Sequence, residues 1–457
     1  MPIGFFDSHL RHISLEEERD VLDAQGGDLF RRPGLRMVLP HGCHARSRGD
    51  NAVVWDGRLD NGAGLLRGGD AHDCSPGDDA GIALSVFERG GEAALRGLLG
   101  DWSAVFWDAA RSTVVLASDY TGVRPLYYSY AGGRVIWSSS LHWLASRLGN
   151  AAVLDEDYVA EFLERGGSFG RTPYRDIRVA PPGHSLSVSR SGAVLNAFWT
   201  LKLDRLRFAD ERDYAANFRD LFEEAVAVRM RTAGPVYAEM SGGLDSSAVV
   251  CMAHSLIRQG RVPAPRLATV HYRHQGSLDE RFNHIVESAL ALDSVHLDTS
   301  AFPLLAEDAA GRGAPGWWEM RDAEIAREMN AAGSSVLLTG RLGDLVMGNH
   351  FDDSEQVADL LGEFSISRAC TEAFAWSRLL NVPVYSILTR AARLSLPFRK
   401  APVHALPSGR KHCRMLSEVL RSRVLQTPEP LRNVFYTHPY THRPLVEFML
   451  AIPPAVV

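Results

Sequence analysis

The sequence VYAEMSGGLDSSAVVCMA, residues 236–253, has the pattern of a strand that turns directly into a helix. Four strand-forming residues precede Ser241, Gly242 and Gly243, and apolar residues with helical spacing follow Ser247. A helix that starts at the carboxyl end of a strand offers free N–H groups and the positive end of its dipole to an anion. Glycines let backbone amides approach a phosphate closely, and serine hydroxyls add donors. The stretch therefore predicts a phosphate-binding corner.

Asp245 lies inside this corner, where a carboxylate would repel phosphates unless a cation separates them. The sequence therefore implies Mg²⁺. The corner lacks both a lysine and a GK[ST] ending, which excludes the phosphate loop of kinases and GTPases. The structural alternative is an ordinary Gly-Gly turn followed by an Asp or Ser helix cap.

A second corner of the same kind follows the strand-like residues 335–338, in the sequence Thr339-Gly340-Arg341-Leu342-Gly343-Asp344. Ser277-Leu278-Asp279-Glu280 opens another helix with acidic residues in its first turn. If both strands belong to one parallel sheet, Asp245 and Asp344 lie at neighbouring strand ends. We expect them to share a Mg²⁺ ion over a pyrophosphate group.

The rhythm of the 457-residue chain changes near residues 199–211. Before that boundary, short β-type runs punctuated by Gly, Asp and Asn surround one helical segment, residues 80–99, which predicts an α+β domain with antiparallel sheets. After it, strands alternate with helices, which predicts a parallel sheet with right-handed crossovers. From about residue 360 onward the pattern is mostly helical. The predicted domains are residues 1–200 and 211–457.

Composition excludes several classes of protein. The net charge is −6, so we expect no nucleic-acid partner. The longest apolar runs fall far short of the roughly 20 residues that cross a bilayer, and no secretory signal is visible, so we expect no membrane partner. Five cysteines without CxxC spacing argue against a disulfide framework. These features favour a cytoplasmic protein.

The two corners resemble the ATP-pyrophosphatase fold of asparagine synthetases, whose pyrophosphate motif is similar to SGGLDSS (residues 241–247) and whose second loop is similar to LLTGRLGDLVMG (residues 337–348). Residues 100–128, 135–145 and 177–186 resemble the family's glutaminase domain. The resemblance implies an αββα Ntn-hydrolase-like domain followed by an α/β ATP-pyrophosphatase domain with a helical C-terminal part. It implies ATP and Mg²⁺ as cofactors, with the metal on Asp245 and Asp344. The ATP or pyrophosphate contacts it implies are Ser241, Gly242, Gly243, Leu244, Asp245, Ser246, Ser247, Val270, Gly340 and Gly343.

Two departures from the family affect glutamine hydrolysis. Glutamine-hydrolysing members carry a cysteine after the initiator Met, where its thiol attacks the amide and its α-amine acts as base. Position 2 here is Pro2, and Cys43 and Cys74 lie inside the domain, where we interpret them as core or loop residues. Asp56 replaces the asparagine of the family's oxyanion segment, and a carboxylate there would repel a developing oxyanion. We therefore expect this domain to be a scaffold without glutaminase activity.

These departures resemble the branch that contains β-lactam synthetases and the macrolactam cyclases of lasso peptides, in which the substrate's own amine attacks. The β-lactam enzymes use a Tyr–Glu base dyad. Glu372 matches the glutamate position, whereas Arg341 stands at the tyrosine position and cannot titrate. We retain Glu372 and Arg341 as the candidate catalytic residues, with a solvated helix carboxylate as the alternative for Glu372.

The C-terminal region leaves further questions open. The family places a transition-state lysine beyond its late helix, and this chain stops at Val457, short of that segment; neither Lys400 nor Lys411 is a substitute. We expect that the sequence is truncated, that a partner supplies the lysine, or that the enzyme lacks it. His438 and His442 have H-x₃-H spacing, for which a capping or packing pair is a better interpretation than a metal site.

The leading hypothesis is an ATP-dependent, AMP-forming ligase that joins a carboxylate to an amine, with a peptide or small-molecule carboxylate as substrate. Within the branch we favour lasso-peptide macrolactam formation, with Trp317, Trp318 and residues 349–354 lining a peptide-sized site. The alternative for the two tryptophans is packing against the helical C-terminal region. That function would bring a precursor peptide and a leader-peptide protease as partners. The alternatives are an asparagine synthetase or other amidotransferase fed by ammonia, a β-lactam synthetase-like enzyme, and a non-catalytic ATP-binding homologue.

Overall fold

A computed structural model describes residues 2–9, 27–40, 44–69, 74–149, 153–165, 170–202, 206–273, 279–303, 318–348, 353–395, 407–421 and 424–452. Several residues singled out in the sequence lie outside these ranges: Cys43, Ser277, Leu278, Trp317, residues 349–352, Lys400 and Val457.

The N-terminal part consists of two six-stranded antiparallel sheets with helices on their outer faces. The first sheet has the order β10-β8-β9-β1-β3-β2, and the second has the order β12-β11-β7-β6-β5-β4. The strands are β1 (Ile3–Asp7), β2 (Gly27–Arg32), β3 (Leu35–Pro40), β4 (Ala45–Arg48), β5 (Asn51–Leu59), β6 (Gly100–Asp108), β7 (Thr113–Ser118), β8 (Tyr127–Ala131), β9 (Arg134–Ser138), β10 (Arg178–Val179), β11 (His184–Ser189) and β12 (Gly192–Ala197). The helices are α1 (Gly62–Arg67), α2 (Asp79–Ala94), α3 (Leu141–Leu148) and α4 (Glu156–Arg165).

Strands β5 and β6 are buried on both faces, which explains their nearly continuous apolar sequence. One face packs against the other sheet, where Val54 and Val105 meet Met37. The opposite face packs against α2, and there the rings of Trp55 and Trp102 stack with centroids 5.0 Å apart. Helix, sheet, sheet and helix therefore form four layers, which confirms the predicted αββα domain.

The second part is built on a five-stranded sheet with the order β15-β14-β13-β16-β17, in which every pairing is parallel. Its strands are β13 (Val236–Glu239), β14 (Leu267–Arg273), β15 (Asp293–Asp298), β16 (Val336–Leu338) and β17 (Phe435–Thr437). Its helices are α5 (Glu211–Ala227), α6 (Leu244–Arg258), α7 (Glu280–Leu290), α8 (Glu319–Ala331), α9 (Gly343–Val346), α10 (Asp353–Gly362), α11 (Ile366–Leu380), α12 (Val384–Ser395), α13 (Pro407–Arg421) and α14 (Arg443–Ala451). This arrangement confirms the predicted α/β domain with a helical C-terminal part.

Two apolar cores cover the faces of this sheet. Val236 and Ala238 of β13 pack on one side against α6, and Tyr237 packs on the other side against α8. Helices α10, α11 and α12 share a smaller core of their own, which includes Val357, Ala373 and Ile387.

Strand β17 is missing from the sequence-based prediction, which treated the region beyond residue 360 as mostly helical. Its three residues pair with β16, so that Leu337 lies beside Tyr436. A segment this short, followed at once by His438 and Pro439, has no period of its own. Only pairing with a distant strand defines it, so local sequence could not reveal it.

Candidate ATP and magnesium site

The first corner forms a tight loop between β13 and α6, as the sequence predicts. Gly242 has φ +88°, and a Cβ atom at this position would collide with the backbone oxygen of Asp279. Gly243 caps the N-terminus of α6 without a side-chain cap. Ser241, Gly243 and Leu244 are exposed, so the loop faces solvent. The Ser241 and Gly243 amides donate within the loop, to the hydroxyls of Ser246 and Ser241. Only glycine satisfies the backbone at position 242.

Ser246 holds the loop together from inside. Its side chain is buried, its hydroxyl accepts a hydrogen bond from the Ser241 amide at 3.2 Å, and it lies 3.2 Å from the Gly243 carbonyl, to which it donates. Because that hydroxyl is engaged within the loop, Ser246 stabilises the corner. The exposed Ser241 also takes part, since its hydroxyl lies 3.1 Å from that of Ser246 and accepts from the Gly243 amide at 3.3 Å.

The second corner packs directly on the first. A Cβ atom at Gly340 would lie 2.6 Å from the Ser246 nitrogen, and one at Gly343 would overlap the Asp245 carboxyl group. Between these glycines, Leu342 has φ +68° in the left-handed region. The two glycines therefore permit the close approach that brings Asp344 next to Asp245.

The two aspartates form a pair of neighbouring carboxylates beyond the carboxyl ends of β13 and β16. Burial raises the pKa of Asp245, and the charge of Asp344 raises this pKa further, while the backbone N–H of Asp344 donates to the Asp245 carboxylate and opposes both effects. Asp344 is exposed and Asp245 is half-buried. Two like charges this close favour a divalent cation between them.

The residues present fit Mg²⁺ with phosphate. Among the described residues, no group of three or more His, Cys, Asp or Glu converges as a preformed metal site. A Mg²⁺ ion held by Asp245 and Asp344 would therefore take its other ligands from phosphate oxygens and water, which is how this ion usually binds in nucleotide enzymes.

Buried side chains outside the predicted set of ligand contacts fix the ends of the strands. His271 is buried, and its Nδ1 lies 3.0 Å from the Met240 carbonyl. The side-chain nitrogen of the buried Asn283 lies 2.6 Å from the same Nδ1 and 3.1 Å from Nε2. On the other strand, Thr339 Oγ1 lies 2.7 Å from His438 Nδ1. Tyr440 donates a hydrogen bond to the Asp245 carbonyl at 3.4 Å, and burial together with the two aspartates raises its pKa.

A polar cluster lies beside the second corner, on the face of the sheet that α8 covers. Its members are Glu239, Tyr272, Arg321, Asp322, Arg341 and Tyr436. The Tyr272 hydroxyl donates to Glu239 at 2.8 Å, and the Arg321 guanidinium lies 4.1 Å from the centre of the Tyr272 ring. Burial raises the pKa of Asp322 to about 6 despite the opposing charge of Arg321.

The two candidate catalytic residues occupy different surroundings. Arg341 donates to the Val424 carbonyl at 3.0 Å and lies over the Tyr436 ring, within the polar cluster. Glu372 is exposed on α11 and, within the described ranges, forms no hydrogen bond or ion pair. The structure does not join the two residues, and the role of each stays a prediction. Val270 is buried in β14 beside Glu239, and Lys411 pairs with Glu355 at 2.8 Å.

The oxyanion position of the N-terminal domain holds an ion pair. Asp56 Oδ1 accepts from Arg124 Nη2 at 2.9 Å, and Arg124 Nη1 donates to the carbonyl of Val434 at 3.3 Å. Asp56 is therefore a carboxyl group paired with an arginine that also contacts the second domain, rather than an amide that could donate to an oxyanion.

A buried ionic network joins the two domains near this pair. The Arg229 side chain is 1% exposed, and it reaches Thr437 Oγ1 at 3.0 Å, Asp60 Oδ2 at 3.3 Å and Asp101 Oδ1 at 3.5 Å. Burial alone would raise the pKa of Asp60, but Arg58 and Arg229 outweigh burial and hold this pKa below its ordinary value. Each member is compensated by another.

Comparison with known proteins agrees with the two-domain organisation. The glutamine amidotransferase domain profile matches residues 45–199, and the asparagine synthase profile matches residues 217–456. The second match covers more than half of the chain, and the chain therefore belongs to the asparagine synthase family. This confirms the predicted family.

Two curated relatives illustrate the similarity. Asparagine synthetase [glutamine-hydrolyzing] 3 of Bacillus subtilis is 27% identical over 47% of this chain and 36% of its own length. Amidase chyE of Penicillium rubens is 27% identical over 62% of this chain and 44% of its own length. The chain thus matches less than half of each relative. Among solved structures, one similar chain is the glutamine phosphoribosylpyrophosphate amidotransferase of B. subtilis, complexed with ADP and GMP. The alignment covers 68% of each chain at 13% identity, with a TM-score of only 0.27.

Gly340→Ala tests the contact between the two corners. The added methyl group would meet backbone atoms of Ser246 at 2.6 and 2.7 Å, so α6 and the second corner must separate. We expect the affinity for Mg²⁺-ATP to fall at least tenfold and stability to fall by about 1–3 kcal/mol, the usual cost of overpacking. Calorimetric titration and urea unfolding measure these effects. Gly64→Ala is the control, since a Cβ there meets nothing within 4 Å; equal behaviour of the two variants would contradict the packing described.

Proposed function

We propose that this chain is an ATP-dependent amide ligase that forms AMP and pyrophosphate. The observation that carries the proposal is the pair of carboxylates, Asp245 and Asp344, at adjacent strand ends beside a glycine loop and a helix N-terminus. Family membership supports it, because asparagine synthetases are among the relatives.

The proposed chemistry has two steps. An oxygen of the substrate carboxylate forms a bond to the α-phosphorus of ATP, while the bond from that phosphorus to the bridging oxygen breaks and pyrophosphate leaves. An amine nitrogen then attacks the acyl carbon, the acyl–oxygen bond to AMP breaks, and the amine loses a proton. The exposed glycine loop and the N-terminus of α6 orient the phosphates. Mg²⁺ would neutralise charge on the leaving pyrophosphate.

Within this chemistry, we propose a single peptide as substrate, carrying both an N-terminal amine and an Asp or Glu side chain, so that the product is a macrolactam. Binding both groups in one site makes the second step intramolecular, with effective molarities on the order of 10⁵ M or more. The Asp56–Arg124 pair supports this choice, since it disfavours ammonia production in the N-terminal domain. A precursor peptide and the protease that removes its leader are the corresponding partners.

The test is incubation of the protein with ATP, Mg²⁺ and a matured precursor peptide, followed by mass spectrometry. The expected product weighs one water less than the peptide, about 18 Da, with AMP and pyrophosphate in equal amounts. ADP in place of AMP would refute the chemistry. Ammonia-dependent conversion of aspartate would identify an amidotransferase, and turnover of a small β-amino acid a β-lactam-forming enzyme. ATP binding without pyrophosphate exchange on any substrate would indicate a non-catalytic homologue.

Glutamine should not be hydrolysed by this protein above the buffer rate. A carboxylate at position 56 opposes the developing oxyanion, and removing a single oxyanion donor from an enzyme typically costs 10²–10³ in kcat. Pro2→Cys alone should not restore glutamate release while Asp56 remains. A coupled glutamate dehydrogenase assay measures glutamate release, with an active glutaminase as positive control. Glutamate release by the wild type or by Pro2→Cys would overturn the expectation.

A further inference from the structure

His438 is a wholly buried histidine that the proposed chemistry does not use. It follows β17 directly and lies between two segments, with Nδ1 2.7 Å from Thr339 Oγ1 and Nε2 3.1 Å from the Leu425 carbonyl. The Tyr436 ring lies edge-on, with the ring centres 4.9 Å apart.

These contacts determine the protonation of the ring. A carbonyl only accepts, so Nε2 must carry the hydrogen that it donates to Leu425. Burial lowers the pKa of His438 to about 4, and the nearby charge of Arg341 acts in the same direction. The ring is therefore neutral near pH 7, and Nδ1 is an acceptor for the Thr339 hydroxyl.

The Thr339 hydroxyl connects His438 to the second corner by hydrogen bonds. Since it donates to His438, its oxygen lone pairs point elsewhere, and one accepts from the Arg341 amide at 3.2 Å. The Thr339 amide is already paired with the Thr437 carbonyl at 3.1 Å. The hydrogen bond between Thr339 and Thr437 thus ends the pairing of the strands, and the hydrogen bond from the Arg341 amide to the Thr339 hydroxyl fixes the first turn of the loop.

The loop fixed in this way positions the two candidate metal ligands, Asp245 and Asp344. Two residues beyond Arg341, Gly343 packs against the Asp245 carboxyl group, and the Asp344 amide donates to that carboxylate. Residues 424–425 hold Arg341 in two ways. The Val424 carbonyl accepts from its guanidinium, and the Leu425 carbonyl anchors the chain of hydrogen bonds through His438 and Thr339 that ends at its amide.

We propose that His438 is a positioning residue which, through Thr339, holds the second corner in the geometry that binds Mg²⁺-ATP. The proposal rests on the function proposed above. It predicts that the direction of the hydrogen bond at Thr339, rather than the mere filling of the core, controls affinity for the nucleotide.

Matched pairs of variants separate these two roles. Thr339→Val keeps the shape and removes the hydroxyl, whereas Thr339→Ser keeps the hydroxyl. His438→Gln places its amide near the Nε2 position and loses the acceptor for Thr339, whereas His438→Asn keeps an acceptor near Nδ1. Calorimetry measures the Kd for Mg²⁺-ATP and for ATP in EDTA, and urea unfolding measures stability.

We expect Thr339→Val and His438→Gln to weaken Mg²⁺-ATP binding about tenfold, the effect of one directed hydrogen bond. Thr339→Ser and His438→Asn should stay within about threefold of wild type. Binding of ATP without Mg²⁺ should change less than binding of Mg²⁺-ATP in every variant. Equal affinity in all four variants and the wild type, or losses that follow stability alone within each pair, would overturn the positioning role. A wild-type protein that binds no Mg²⁺-ATP would instead overturn the proposed function, and this inference with it.

Discussion

Replacing Asp245 or Asp344 with alanine is expected to lower ATP–pyrophosphate exchange by a factor on the order of 100 or more, since a metal ion supplies several kcal/mol of charge stabilisation. Each substitution leaves a single carboxylate to hold Mg²⁺ between the loop and the phosphates. Asp344 is exposed and Asp245 is half-buried, so neither change opens a cavity in the apolar core. Asp245→Ala also removes the contact of its carboxyl group with Gly343 and with the Asp344 amide.

Exchange is measured with labelled pyrophosphate and a carboxylate that supports it in the wild type. Asp220→Ala, an exposed change on α5, is the control and should retain full activity. Unchanged unfolding by urea would show that the loss in the site variants is chemical. Exchange near the wild-type rate in either Asp245→Ala or Asp344→Ala would exclude the proposed metal ligands.

Arg229→Ala is expected to have the largest effect on stability. The change removes the cation that faces both Asp60 and Asp101 and leaves those buried carboxylates with less compensation. Breaking a buried ionic group in this way typically costs 3–5 kcal/mol. Because Arg229 belongs to the second domain and its partners to the first, the loss should appear as weakened cohesion between the domains.

Urea unfolding followed by tryptophan fluorescence measures this loss. The matched control is Arg212→Ala, which removes an arginine from the exposed pair with Asp210 at 2.6 Å and should cost less than about 1 kcal/mol. If the two arginine variants lose similar amounts of stability, the network does not hold the domains together.

The local sequence was sufficient to predict the site's framework. Gly242, Gly340 and Gly343 stand where a Cβ atom would collide with another segment, and such positions are visible as Gly-Gly and Gly-x-x-Gly patterns at strand ends. The alternation of strands and helices then places two strand ends side by side. Asp245 and Asp344 could therefore be paired without a structure.

The supporting residues could not be predicted, since their partners are distant along the chain. His438 forms a hydrogen bond with Thr339, 99 positions earlier, and Arg229 meets Thr437, 208 positions later. The H-x₃-H spacing of His438 and His442 favours a capping or packing pair in the sequence. In the structure, His442 lies instead 3.3 Å from an Arg229 nitrogen, so the two rings serve different networks.

The assignment of a base shows the same limit. The prediction of Glu372 rests on the family resemblance, and the structure places this residue on the exposed face of α11. Glu239 accepts a hydrogen bond from Tyr272. No sequence motif marks either residue, because both lie near the ends of strands whose sequences are otherwise ordinary.

The central claim is that Asp245 and Asp344 hold one divalent cation over the phosphates of ATP. A crystal structure with Mn²⁺ and α,β-methylene-ATP, which resists cleavage to AMP, tests this claim most directly, because the anomalous signal of Mn²⁺ locates the ion. We predict one Mn²⁺ within about 2.2 Å of a carboxylate oxygen from each aspartate and of a phosphate oxygen, with the phosphates over residues 241–243. A nucleotide bound away from this loop, or a Mn²⁺ ion that touches neither aspartate, would contradict it.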